Sequence, residues 1–238
     1  MKISGFLSSV VLAGALAVAP AVPLAASPAT WRGATATTAP SAAFQATIRT
    51  VDEETRARMI GVSWKPGCPV PIDDLRIIDM NFIGFDGVVH SGGQLMVHRL
   101  VAPQVVEAFR VLFENGFPIR RMELIENYGG SDDASMAADN TSAFNCRPVT
   151  GTTDRFSIHS YGQAIDINPV ENPYVRGSTV LPPAGVDYLD RTDMRPGMIT
   201  KNDVVEKVFR EQKFFWGGDF NSLKDYQHFE TKKLVLPD

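Results

Sequence analysis

Two of the four histidines in this 238-residue chain stand in polar segments whose residue types could do chemistry. The first segment is Ser157–Asp166 (SIHSYGQAID), which contains His159. The second is Asp225–Glu230 (DYQHFE), which contains His228. Imidazole nitrogens and carboxylate oxygens are both ordinary zinc ligands. If the two segments meet in the fold, they predict a metal site.

The carboxylate of Asp166 needs a partner, because Ile165 and Ile167 place it on a segment that we expect to be well packed. A buried carboxylate is unfavourable unless it is paired or bound to a metal. A zinc ion held by His159, Asp166 and His228 would offset that penalty and leave a fourth position open, as in catalytic zinc sites. The alternative, from the spacing alone, is a buried hydrogen bond between His159 and Asp166.

These segments resemble the motifs of the zinc D-alanyl-D-alanine carboxypeptidase family of VanY and VanX type, which also includes phage L-alanyl-D-glutamate endopeptidases. The first family motif, Ser-x-His-x-x-Gly-x-Ala-x-Asp, is matched at every fixed position by Ser157, His159, Gly162, Ala164 and Asp166. The second motif, an acid three residues before a His, is matched by Asp225 and His228. The preceding run 216–219 (WGGD) is similar to the endolysin-like branch. The likeness extends over about residues 60–232.

The resemblance implies a role for each matched residue. His159, Asp166 and His228 would bind zinc, and Asp225 would be the general base that takes a proton from water and passes one to the leaving amine. Arg147 would stabilise the oxyanion of the tetrahedral intermediate, although Arg155 lies near enough in sequence to take that place.

The resemblance also suggests Ser157 and Glu230 as residues that orient the ligands. The alternative for both is a solvated strand residue. Asp225 and His228 can share one site only if the chain turns between them, since residues three apart in a regular strand point to opposite faces.

The resemblance implies an α+β fold, a small antiparallel sheet with flanking helices of the hedgehog and DD-peptidase type. The implied function is a zinc metallopeptidase of peptidoglycan stem peptides, of the D,D-carboxypeptidase kind. Three alternatives stay open: an L-alanyl-D-glutamate-type endopeptidase, a different zinc hydrolase such as an amidase, and a cell-wall-binding module on the same fold without turnover. We expect a monomer.

The elements that must position these residues follow from the apolar pattern. Strands are predicted at 75–82 and 94–98, a helix at 102–115 and a last strand at 228–230. Short strands are predicted at 143–147, which carries Arg147, and at 163–168. Residues 127–142, which include Asp132, are predicted to be a solvated loop, and Thr200 is predicted to cap a second helix.

The N-terminal residues 1–26 combine one charged residue, Lys2, with a long apolar and small-residue run, which indicates a signal peptide. An uncleaved membrane anchor is the alternative. Residues 27–43 are rich in Ala, Thr and Pro and predict a flexible linker, so that residues 44–238 form a single domain. We therefore expect a secreted, cell-wall-associated protein with no stable membrane association after signal cleavage.

Two cysteines, Cys68 and Cys146, are present. In an exported chain an isolated pair predicts a disulfide, and two buried free thiols are the alternative.

The overall composition restricts the class of protein further. Hydrophobic residues make up 44% and charged residues 21% of the chain, which excludes a disordered chain, a collagen-like fibre and a multi-span membrane protein. The formal net charge is −4 and no basic block is present, so no nucleic-acid partner is expected.

Overall fold

The two longest strands in the described part of the chain are β2 (Leu75–Ile83) and β3 (Val89–His98), which pair in antiparallel fashion. In this computed structural model, which describes residues 43–149, 151–232 and 234, the strand β1 (Ala46–Thr50) pairs with the other edge of β2. Apolar side chains from one face of these strands, such as Ile78 and Leu95, are fully buried. The strands predicted at 75–82 and 94–98 are confirmed, as β2 and as the second half of β3.

The residues that the structure describes fall within a compact unit that spans Pro40–Asp238. The signal peptide predicted for residues 1–26 lies outside the described residues, as does the linker predicted for 27–43 except for its last residue.

The helices in the described ranges are α1 (Glu53–Met59), α2 (Ala102–Glu114), α3 (Asp132–Ala137) and α4 (Val204–Glu211). The predicted helix at 102–115 is confirmed as α2, whose ring of Phe109 meets that of Phe209 on α4 edge to face, 6.1 Å apart. The predicted cap of α4 is wrong by three residues. Asp203, not Thr200, accepts the hydrogen bond from the backbone N–H of Glu206. None of the described helices is long and apolar enough to span a membrane.

Three further small sheets complete the described fold. The first is a parallel pair of β4 (Arg121–Met122) and β5 (Asn140–Thr141). The second contains β6 (Ala164–Asp166), β9 (Phe214–Trp216) and β11 (His228–Thr231), in the order β6-β11-β9. The third contains β7 (Tyr174–Arg176), β8 (Thr179–Leu181) and β10 (Lys224–Asp225), in the order β10-β7-β8. The predicted α+β class is confirmed, with mostly antiparallel sheets and flanking helices.

The region 127–147 differs from the sequence prediction. Residues 143–147 are irregular rather than a strand, and the predicted loop 127–142 contains α3 and β5. Helix α3 forms because Ser131 caps it through a hydrogen bond from the backbone N–H of Ala134, and because Met136 is buried. A polar composition concealed this short helix, since only one of its apolar residues faces the core.

The strands β6 and β11 run through the main hydrophobic core. Ile165 and Ile167, on either side of Asp166, are completely buried. The ring of Phe229, which follows His228, stacks on that of Phe209 with centroids 4.3 Å apart. Alternate residues of these two strands therefore anchor in the core, which holds the polar residues between them in place.

A disulfide joins Cys68 to Cys146, which are 78 positions apart in sequence, with their Cα atoms 6.0 Å apart. Cys146 is buried in a second apolar cluster with Met59, Leu75 and Phe144. The bond thus ties the segment after α1 to the residue that precedes Arg147.

The disulfide should contribute substantially to stability. Replacing both cysteines by serine should lower the free energy of unfolding by about 2–4 kcal/mol, because the unfolded chain loses a long cross-linked loop. Denaturant unfolding of both proteins measures this difference. Two titratable thiols in the unreduced wild-type protein would contradict the bond.

Candidate metal centre

The site is built on a pair of residues that face each other across two strands. In the antiparallel pairing of β6 with β11, Asp166 lies directly opposite His228. Both side chains are buried, and Oδ1 of Asp166 lies 3.0 Å from Nδ1 of His228. The strand register alone therefore brings a carboxylate and an imidazole to one point.

A short 3-10 helix, Ile158–Tyr161, brings in His159. The hydroxyl of Ser157 caps this helix by accepting a hydrogen bond from the backbone N–H of His159, at 3.3 Å. Gly162 ends it at a φ of 64°, where an added Cβ would lie 2.6 Å from the backbone nitrogen of His98. Only glycine combines this backbone conformation with that close approach.

The three predicted ligands converge. Nε2 of His159 lies 3.1 Å from Oδ2 of Asp166 and 3.2 Å from Nδ1 of His228. One ligand atom from each residue lies within 4.8 Å of the other two.

Hydrogen bonds outside the cluster decide which nitrogen of each ring faces inward. Nδ1 of His159 donates to the backbone carbonyl of Ala143 at 2.6 Å, and Nε2 of His228 donates to the carboxylate of Glu230 at 3.0 Å. In the neutral rings the inward nitrogens then carry lone pairs, as do the oxygens of Asp166. Acceptors that face one another need a cation between them, so this donor set fits a divalent metal ion such as zinc.

The electrostatics of the cluster show that it attracts positive charge. Burial alone would raise the pKa of Asp166, but His159 and His228 lower it below its ordinary value. Burial alone would lower the pKa of His228, but hydrogen bonds to Asp166 and Glu230 raise it well above its ordinary value. The pocket therefore holds a carboxylate anion that requires positive charge beside it.

Asp225 reaches the same cavity from a different sheet. It lies on β10, and Tyr226 and Gln227 form a turn that leads into β11, so that Asp225 and His228 line one cavity. The Oδ1 atom of Asp225 is enclosed and has no hydrogen-bond partner among the described residues. Burial raises the pKa of this carboxyl group to about 7, a value suited to proton transfer near neutral pH.

Gly217 makes room for this turn. It lies in the short 3-10 helix Gly217–Asp219, and an added Cβ would lie 2.5 Å from the carbonyl oxygen of Asp225 and 3.2 Å from the Cβ of His228. Sequence reasoning gave Gly217 no steric role, although its place in the 216–219 run was a signal.

Arg147 lines the cavity and is held by two contacts. Its Nη2 atom pairs with Oδ2 of Asp132 at 2.8 Å, and its backbone N–H donates to the hydroxyl of Ser160 at 3.0 Å. The prediction that Asp132 is a solvated loop residue is wrong: it lies on α3 and lines the cavity. Arg155 also lines the cavity, so the two arginines that competed for one role are both present.

The cavity is a cleft of about 530 Å³. Apolar and aromatic side chains form much of its lining, which includes Met136, Val149, Phe156, Ile158, Tyr174, Leu181, Phe220 and Leu223. Such a cleft has the size and the mixed polarity of a site for a peptide-sized ligand.

Comparison with known proteins identifies one family. Residues 150–231, about a third of the chain, match the family described as D-alanyl-D-alanine carboxypeptidase. The predicted resemblance is thereby confirmed for a segment that contains His159, Asp166, Asp225 and His228, and Arg147 lies just before it. No curated protein and no solved structure matches the chain significantly.

The steric role of Gly217 can be tested directly. Gly217→Ala should lower the free energy of unfolding by about 1–3 kcal/mol, because the methyl group must displace the backbone at Asp225. Thermal unfolding measures this change, with Asn221→Ala in the neighbouring exposed loop as the control. Equal stability of the two variants would show that the turn can accommodate a methyl group at position 217.

Proposed function

We propose that this chain is an exported zinc peptidase that hydrolyses peptide bonds in peptidoglycan stem peptides, with the D,D-carboxypeptidase reaction as its activity. In this proposal His159, Asp166 and His228 hold the zinc ion. The substrate class comes from the family that residues 150–231 match. Export is attributed to the signal peptide proposed for residues 1–26. Residues 44–238 form the proposed catalytic domain, and residues 27–43 are the linker between the two.

One observation carries the proposal: an unpartnered carboxylate shares a cleft with three converging metal-ligand side chains. Oδ1 of Asp225 is buried without a hydrogen-bond partner, beside the cluster of His159, Asp166 and His228. A buried polar atom without a partner is unfavourable, so its retention points to a role in the reaction. A site that only stored or bound a metal would have no use for it.

The residues of the chain divide the work of hydrolysis. When bound, zinc supplies Lewis-acid polarisation of the carbonyl group and acidifies water. Oδ1 of Asp225 accepts a proton from the attacking water, and the protonated carboxyl group then donates it to the leaving amine. Arg147 has an enclosed Nε–H without a partner in the described part of the chain, and it stabilises the negative charge on the carbonyl oxygen by hydrogen bonding.

Two further residues support the ligands. Ser157 fixes the turn that carries His159, and Glu230 accepts the hydrogen bond that orients the ring of His228. Such partners of metal ligands typically change affinity or activity by about 10- to 100-fold when removed. Asp132 takes a comparable role for Arg147, since it fixes the guanidinium in the cleft.

The metal prediction rests on a matched pair of histidine variants. The wild-type protein should bind one zinc ion per chain, and His159→Ala should lose it because one of three protein ligands is gone. His90→Ala should keep it, since His90 is exposed and pairs with Asp86 outside the cleft. Metal analysis after dialysis, with competition by a chelator, measures both. Full zinc content in His159→Ala would remove His159 from the ligand set.

The role of Asp225 is tested on purified muropeptides. Asp225→Asn keeps the size of the side chain but removes the proton acceptor, so turnover should fall by about 100- to 10,000-fold while zinc stays bound. Asp133→Asn, an exposed change one residue from Asp132, is the control. Released D-Ala identifies the carboxypeptidase reaction, whereas a new amine inside the stem identifies an endopeptidase. A released whole stem indicates an amidase. Normal turnover in Asp225→Asn would exclude Asp225 as the base.

A further inference from the structure

Two arginines of the cleft have no partner for their charge. Arg155 and Arg176 both line the cavity and are exposed, and within the described residues neither guanidinium forms an ion pair. Arg147, by contrast, is paired with Asp132. The acids at the metal cluster are also engaged, because Asp166 and Glu230 contact the histidine rings. The cleft thus presents two free positive charges to whatever binds in it.

The strand register places Arg176 relative to the base. In the sheet β10-β7-β8, Asp225 pairs with Tyr174, which pairs in turn with Leu181, and all three line the cavity. Arg176 follows Tyr174 by two residues on β7, so its side chain leaves the same face of the strand. Two residues of strand span about 7 Å. Arg176 therefore stands roughly two extended residues along the cleft from the level of Asp225.

Arg155 arrives from a separate part of the chain. It lies near the end of a hairpin-like segment closed by the bridge between Pro148 and Phe156, and its carbonyl accepts a hydrogen bond from the backbone N–H of Val149 at 2.9 Å. Two independently anchored segments thus direct a guanidinium each into one cleft. Guanidinium groups bind carboxylates with charge-assisted, often bidentate hydrogen bonds.

We infer that Arg155 and Arg176 bind a free carboxylate of the peptide substrate, held about one to two residues from the bond that is cut. This inference rests on the proposed peptidase function and adds the charge and the position of the group that the cleft selects. The carboxylate can come from the C-terminus of the peptide or from an acidic residue within it. Both sources present the same group to the two arginines.

The test uses one stem peptide in four forms with the zinc-loaded protein: unmodified, amidated at the C-terminus, amidated at its internal carboxylates, and amidated at both. Amidation of the recognised carboxylate should lower kcat/KM by about 10- to 100-fold. The form that loses activity identifies the source. Arg176→Gln and Arg155→Gln should lower kcat/KM for the unmodified peptide. They should leave kcat/KM unchanged for the form in which the recognised carboxylate is amidated. Arg176→Lys should retain part of the preference.

Arg110→Gln on the outer face of α2 makes the same change in charge away from the cleft, and it should not alter kcat/KM for any of the four peptide forms. Equal cleavage of all four forms by the wild-type protein would overturn the inference, as would an equal loss on all forms in the arginine variants. If no form is cleaved, calorimetric binding of the four peptides decides. A carboxylate preference that both variants abolish keeps the inference and removes the proposed function. Binding without preference, or no binding, overturns both.

Discussion

Asp166 is a buried carboxylate that lines the cleft, and the surrounding structure compensates its charge. Ile165 and Ile167 anchor its strand in the hydrophobic core, and because Asp166 itself is buried, its negative charge must be balanced by groups that the fold brings to it. The pairing of β6 with β11 supplies His228, and the capped turn before β6 supplies His159. Each ring is then fixed from outside by Ala143 or Glu230, which leaves only acceptors inside. A metal ion, as proposed, would satisfy all of them together.

Each motif from which sequence reasoning predicted this site is local in the chain. His159 and Asp166 are seven residues apart and are joined by a turn and a short strand, and Asp225 and His228 are separated by a two-residue turn. Short-range geometry of this kind is visible in a motif. Likewise, the apolar residues of α2 and of β2 predicted these elements correctly. Helix α2 packs one face on the main core, and β2 is buried on both faces, with Ile78 in the main core and Ile77 in the second apolar cluster.

The parts that were missed depend on contacts between distant segments. Asp132 is read as a solvated acid unless Arg147, fifteen positions later, is known to reach it. Helix α3 buries too few apolar residues to show a period, and Gly217 is required only because the chain at Asp225 passes close above it. The irregular segment 143–147, which carries Arg147, is not part of a β-sheet. It is held instead by the disulfide of Cys146 and by the hydroxyl of Ser160.

The turn at Tyr226 and Gln227 separates two strands that belong to different sheets, β10 and β11. On one side of it, β6 and β11 carry the proposed metal ligands Asp166 and His228, and Phe229 fastens β11 to the core. On the other side, β10 carries Asp225 and pairs with the β7–β8 hairpin, whose tip is exposed to solvent. Residues at that tip can be exchanged, or the hairpin lengthened, without touching the ligand strands. The fold thus leaves substrate preference free to diverge, while the strands that carry the proposed metal ligands stay under the constraint of the core.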